Sequence, residues 1–217
     1  MIEKKRNAAG ELYWFDDETK RYFARIAAGI SWPYKDKLGW IVVLAEDDVS
    51  NPPSGKTTFR ILNEQSDSLI HRLLIRLREV DKTYLVERNY GDLSDETTAF
   101  LVRQHNREMD EKRIASIGID YPPLSDQPNN LRAYLQLIDA RTKHGVEKTL
   151  FFGEGSEIAT AFQSLNPQDA TGDVKEWPEI AALGYALAAL EIYKPSPFTG
   201  KVQKFAVDAP DYDPLTY

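Results

Sequence analysis

The segment Ile180 to Leu190, IAALGYALAAL, constrains the fold more than any other part of the chain. It lies inside a helical stretch from Trp177 to Tyr193 and is apolar on nearly every face. Such a helix has no side suited to water and must be largely buried. Pro195 and Pro197 stop it. No apolar run in the chain reaches the roughly 18 uncharged residues that a membrane span takes, so the helix reads as part of a folded core.

The rest of the chain must supply layers to cover that helix. Three strand candidates come first: Arg25 to Ser31 (RIAAGIS), Trp40 to Ala45 (WIVVLA) and Thr57 to Asn63 (TTFRILN). The turn-rich connectors WPYKDKLG and DDVSNPPSG are too short for a parallel crossover, which predicts an antiparallel meander. The period then changes. Leu69, Ile70, Leu73, Leu74 and Leu77 fall at helical spacing, with Ser66, Asp67 and Ser68 as N-cap candidates. A strand over Tyr84 to Glu87 (YLVE) is expected next, then a helix over Glu96 to Glu108 and a strand over Ile114 to Ile119. A helix around Leu131 to Ile138, closed by His144-Gly145, precedes a short strand over Thr149 to Phe152 and a helix over Glu157 to Leu165. A meander followed by strand–helix alternation predicts an α/β fold, a mixed sheet flanked by helices. Residues 1 to 24 hold Tyr13, Trp14, Phe15, Tyr22 and Phe23, an aromatic extension expected to pack on the domain. The domain itself is expected over 25–194, followed by a Pro-punctuated tail, 195–217, with at most one edge strand at Val202 to Val207.

Composition removes several kinds of chemistry. At 217 residues the chain suits one α/β domain with tails. It has no cysteine, which excludes disulfides, thiolate zinc sites and a cysteine nucleophile, and fits a cytoplasmic protein. Its start, MIEKKRNAAGELYWFDD, lacks the apolar core of a secretory signal. The formal net charge of -7 argues against broad electrostatic capture of nucleic acid. His71, His105 and His144 form no metal-spaced pair and read as surface or helix-end residues. A resident metal would therefore be a hard, oxygen-bound ion such as magnesium or manganese. The GKT of PPSGKTTF resembles a nucleotide-binding loop, but Ser50 stands where its first glycine belongs, and a strand follows instead of a helix. GEGSE is no nucleophile elbow, and Ser156 sits where a helix N-cap is needed.

Glu87 carries more chemistry. It closes the predicted strand YLVE, and ligands of α/β sheets gather at the C-terminal ends of strands. A carboxylate there either binds a cation or pairs with a base, and Arg88 is adjacent. Gly91, in the RNYG that follows, permits a sharp turn after the strand.

Four places share a pattern. RIAAGIS runs into WPYKDKLGWIVVLAED as an opening hairpin. YLVERNYGDL is a strand whose glutamate is followed by an asparagine and a glycine. NNLRAYLQLIDARTKHGVEKTLFF is a helix with a short strand, and EWPEIAALGYALAAL is a terminal helix. Together, from about Arg25 to Tyr193, they resemble the nuclease domain of the large terminase subunit of tailed bacteriophages. The resemblance implies a ribonuclease-H-like fold whose carboxylates, from the first strand, a later strand and the last helix, hold two Mg2+ or Mn2+ ions for phosphodiester cleavage. It places Glu87 on the later-strand acid. The first-strand acid falls on Ser31, and the acid before the Ala-Leu core falls on Ala181, with its upstream companions near Trp177 and Pro178. Asp173, Glu176 and Glu179 stand close in sequence but out of register, and Asp120, Asp47 and Asp48 are further acids near strand ends. Asn129-Asn130 replace a basic residue that precedes the family's helix.

Retained cleavage would rest on Glu87 and Asp120, with Asp173 and Glu179 as further metal ligands and Ser31 and Asn89 lining the site. Ser31 and Ala181 carry no carboxylate, and a hard cation needs several oxygen ligands. The resemblance therefore implies a degenerate centre that binds DNA or packaging proteins (an ATPase, a portal or a small terminase) in a bacterial host cell without cutting. An active Mg- or Mn-dependent endonuclease and an adaptor that binds no nucleic acid are the alternatives. With about two dozen residues before the first strand and no Walker motif, a self-contained packaging motor is not expected.

Overall fold

The computed structural model describes residues 1–6, 10, 12–47, 57–122, 131–142, 149–165 and 171–192. The tail 195–217, His144-Gly145, Asp48, Asn129-Asn130 and residues 52–56 of the GKT segment lie outside the described residues. The elements in chain order are β1 (Ile2–Arg6), β2 (Leu12–Asp16), β3 (Arg21–Ser31), β4 (Gly39–Asp47), β5 (Phe59–Asp67), α1 (Ile70–Tyr84) and β6 (Arg88–Gly91). Then follow α2 (Glu96–Glu111), α3 (Leu131–Thr142), β7 (Leu150–Phe151), α4 (Glu157–Gln163), a 3-10 turn (Val174–Glu176) and α5 (Pro178–Ile192).

The strands form one seven-stranded mixed sheet in the order β1-β2-β3-β4-β5-β7, with β6 beside β3. The expected meander is β3-β4-β5, antiparallel throughout. β3 is long enough to hold two partners on one edge: residues 21–23 pair with β2, and residues 27–30 pair in parallel with β6. β7 adds in parallel to β5.

Successive residues of a strand face opposite sides, so each strand of this sheet feeds two cores. Ile26, Ala28 and Ile30 of β3, with Ile41, Val43 and Ala45 of β4, pack against Leu73, Leu74, Leu77 and Val80 of α1. Ala27, Trp40, Val42 and Leu44 face α5 and the α3 residues Tyr134, Leu135 and Ile138. Both faces are covered, which is why these strands read as continuous apolar runs. The prediction for α5 holds: Pro178 and every residue from Ile180 to Leu190 are buried. Gly29 lets it seat closely, because a Cβ there would stand 1.8 Å from the Ala182 carbonyl oxygen. On the outer side Gly184 lies beneath the Tyr134 ring, which meets Tyr185 edge-on at 5.3 Å.

The aromatic extension packs on the domain as expected: β1 and β2 form a hairpin on the start of β3, with Ile2, Trp14 and Phe23 buried on the α1 side. Three expectations need correction. Tyr84 to Glu87 is not a strand. The apolar stripe of α1 continues through Val80, the helix runs to Tyr84, and Leu85 closes it in the left-handed region (φ 51). The Trp14 indole donates to the Leu85 carbonyl at 2.8 Å, so a distant hairpin satisfies the helix end and local strand propensity loses. Ile114 to Ile119 is not a strand either. Asn106 of α2 takes both backbone groups of Ile117, at 2.8 and 2.9 Å, and only Asp120 bridges in parallel to Tyr90. Finally, His105 is buried rather than on the surface, its Nε2 accepting from Arg78 Nε at 3.2 Å.

Candidate functional site

β3 and β6 run side by side in one direction with Ile30 opposite Gly91, so both strands end at the same edge of the sheet. Parallel strand ends are where ligands of α/β sheets gather. α5 runs antiparallel to β3: Ala182 lies against Gly29, and the Leu190 carbonyl accepts from Arg25. The start of α5, and the turn before it, therefore fall at the C-terminal ends of β3 and β6. The residues meeting there are Ser31, Asp92, Ser94, Asp173 and Lys175.

Asp92 is the acid at this place, 6% exposed and directly after β6. The Trp32 indole on the neighbouring strand end donates to its backbone carbonyl at 2.7 Å. Its Oδ1 accepts the Ser94 N–H at 2.8 Å, and Oδ2 accepts the Ser94 hydroxyl at 2.9 Å. The Lys175 ammonium stands 3.0 Å from Oδ2 and donates to the Ser94 hydroxyl at 3.2 Å. Burial pushes the Asp92 carboxyl up, but the Ser94 bonds and Lys175 outweigh it and hold the group below the usual carboxylate range. Burial likewise pulls Lys175 down, and the bond and charge of Asp92 outweigh it and raise it. Asp173 caps the 3-10 turn by accepting the Lys175 backbone N–H at 2.9 Å, which places the lysine over Asp92. The ammonium thus neutralises the Asp92 carboxylate.

The surroundings are acidic. The β3–β4 hairpin tip reaches the same turn, where Lys35 pairs with Glu176 at 3.3 Å and Lys37 lies over the Trp177 ring at 4.4 Å. Among the described residues Asp36, Asp92, Asp95, Asp173 and Glu176 outnumber Lys35, Lys37 and Lys175 at this end. Behind it, the fully buried Tyr134 hydroxyl has no hydrogen-bond partner among the described residues. Burial, with Asp92 nearby, pushes its ionisation far up, so it stays neutral.

The residues singled out in the sequence fall in different places. Ser31 is buried at the end of β3, within the site, and Asp173 caps the turn above it. Glu179 lies half-buried in the first turn of α5, and Ala181 is in the core. Glu87 precedes β6, at the end of the strand opposite to Asp92. Its carboxylate is 40% exposed and 3.8 Å from Arg25, which also stands 3.6 Å from Glu46. Asp120 is exposed and paired with Arg88 at 3.1 Å, and Asp47 is paired with Arg60 at 3.1 Å. Asn89 is buried in β6, bonded to Asp81 and to the Gly118 carbonyl. Among the described residues no group of three or more His, Asp or Glu side chains is placed to hold a metal ion.

Asp92 is the residue that sequence reasoning missed. The available signal was an acid directly after Tyr90-Gly91, in an Asp-x-Ser pattern able to fold back on its own backbone. Ending the strand at Glu87 hid it. No protein-family model matches the sequence, and a search among curated proteins found no match. No described helix is long and apolar enough to cross a membrane.

Proposed function

We propose that this chain is a terminase-nuclease-like protein of ribonuclease-H-like architecture whose strand-end centre no longer cuts and acts by binding. The observation that carries the reading is the Asp92–Lys175 pair, an internal ammonium lying on the acid at the parallel strand ends. Ser31, buried at the end of the adjoining strand β3, offers a neutral hydroxyl, whereas a divalent ion needs several charged oxygen ligands. The strand order supports the architecture. The antiparallel run β5-β4-β3 continues into parallel β6 and the Asp120 bridge, and a final helix lies across β3 and β4.

The acid excess around the strand ends turns the binding toward a protein surface, such as a packaging component, in preference to DNA phosphates. The test is incubation of purified protein with plasmid and Mn2+ or Mg2+. The expected result is intact plasmid at protein excess; cleavage abolished by Asp92→Asn or by Glu87→Gln would overturn the reading. Filter binding across a salt series separates the partners, since binding through phosphates must weaken steeply as salt rises.

A further inference from the structure

On the other side of the sheet, α1 and β6 meet through a half-buried acid, Asp81, and a buried amide, Asn89. The Asn89 amide donates from Nδ2 to Asp81 Oδ2 at 3.1 Å and to the Gly118 carbonyl at 3.2 Å. Turning the amide over would set its oxygen against two acceptors, so this orientation is the one that bonds. Yet Asp81 Oδ1 and Asn89 Oδ1, both acceptors, are buried with no hydrogen-bond partner among the described residues. Two orphaned acceptors in one acid–amide pair are one proton short of satisfaction.

We propose that Asp81 is held as the neutral acid, its Oδ1–H donated to Asn89 Oδ1, so that acid and amide close a two-bond ring clamping α1 to β6. The groups around it leave that proton in place. Burial acts most strongly on Asp81 and raises it, against the Asn89 bond and the charge of Arg78. Arg78, one turn earlier on α1, spends its guanidinium on His105 Nε2 of α2 and on the Ala115 carbonyl at 2.6 Å. On β6 and its approach, Arg88 is engaged with Asp120, and Glu87 faces Arg25. The ring reaches past β6 to the outer edge of the sheet. Asn89 also holds Gly118, its carbonyl accepts the Asp120 N–H at 2.8 Å, and Gly91 N–H donates to the Asp120 carbonyl at 3.0 Å. Loss of the proton sets a carboxylate oxygen against an amide oxygen and loosens this edge, which makes the clamp pH-responsive.

A carboxyl-detected NMR titration of the full chain tests this, with the Asp81 carboxyl assigned by through-bond correlation to its own backbone. Asp81 should titrate at a midpoint above the ordinary aspartate value of about 3.9; a midpoint at or below that value overturns the proposal. A group whose folded pKa is raised costs stability as pH rises through the folded value and costs nothing below the unfolded one. Asp81→Asn supplies an N–H where the proton is placed and cannot ionise. It should melt higher than the wild type above the Asp81 midpoint, with the gap narrowing as pH falls through it, and exchange of the Gly91 and Asp120 amides should follow. A gap that does not narrow, or a variant less stable at every pH, refutes the ring. If the variant does not fold, the wild-type titration alone decides.

Discussion

Replacing Lys175 by Met removes the ammonium from Asp92 while keeping most of the apolar stem. Breaking a fully buried ion pair costs about 3–5 kcal/mol, because an uncompensated charge stays behind. The Lys175 side chain is 28% exposed, so water reaches the vacated place, and Ser94 still gives Asp92 its N–H and hydroxyl. Both effects reduce the loss to about 1–2 kcal/mol. Urea unfolding at neutral pH, followed by tryptophan fluorescence, would read it as a lower midpoint at unchanged slope. Asp92→Asn in the same background should recover part of the loss, since no buried charge then remains. The pH dependence separates the partners. Asp92 is lowered in the folded state, so its contribution is present above the unfolded value of about 3.9 and is lost as pH falls through the folded one. Lys175 is raised, so its contribution is full below about 10.4 and is lost as pH rises through the folded value. The acid-side loss should shrink in Asp92→Asn and the alkaline-side loss in Lys175→Met. A Lys175→Met protein within about 0.3 kcal/mol of wild type, with both slopes intact, would refute the pairing argument.

Gly29→Ala drives a Cβ to 1.8 Å from the Ala182 carbonyl, so α5 must leave the sheet. The cost should reach or exceed the upper end of the roughly 1–3 kcal/mol seen for overpacking, visible as lost soluble yield or a collapsed melting transition. Ser156→Ala removes the cap of α4, whose hydroxyl accepts the Ala159 N–H at 3.0 Å and also binds Glu64. A loss of about 1–2 kcal/mol is expected in urea unfolding. Arg113→Gly acts in the opposite direction. Arg113 is exposed in the left-handed region just past α2 (φ 55), and relieving that conformation should stabilise by up to about 1 kcal/mol, read as a higher melting temperature.

Much of the scaffold was legible because its signals are local. Continuous apolar runs and Pro- or Gly-bearing connectors marked β3, β4 and β5. Helical spacing marked α1 and α3, and the place of Ser156 directly before a helical stretch marked it as a cap, the role its bond to Ala159 fills. The site was not legible in the same way. Tyr84-Leu85-Val86 has strand propensity, but the α1 stripe and the Trp14 indole, 71 residues from Leu85, carry the chain as helix through Tyr84. That moved the start of β6 past Glu87, and with it the identity of the acid at the strand end.

The sequence by itself determined the α/β class, the meander, the all-apolar helix at the centre and the absence of cysteine chemistry. Each of these depends on which residue types follow one another over a few turns or one strand. Only the tertiary structure decided that Asp92, and not Glu87, follows β6 at the edge where β3 ends, and that Lys175 lies on it. It also decided that Asp81 and Asn89 face each other with an unmet hydrogen bond. Those outcomes depend on strand register, helix length and the close seat of α5 on Gly29, which bring distant residues within 3 Å or so of one another through contacts that no local pattern encodes.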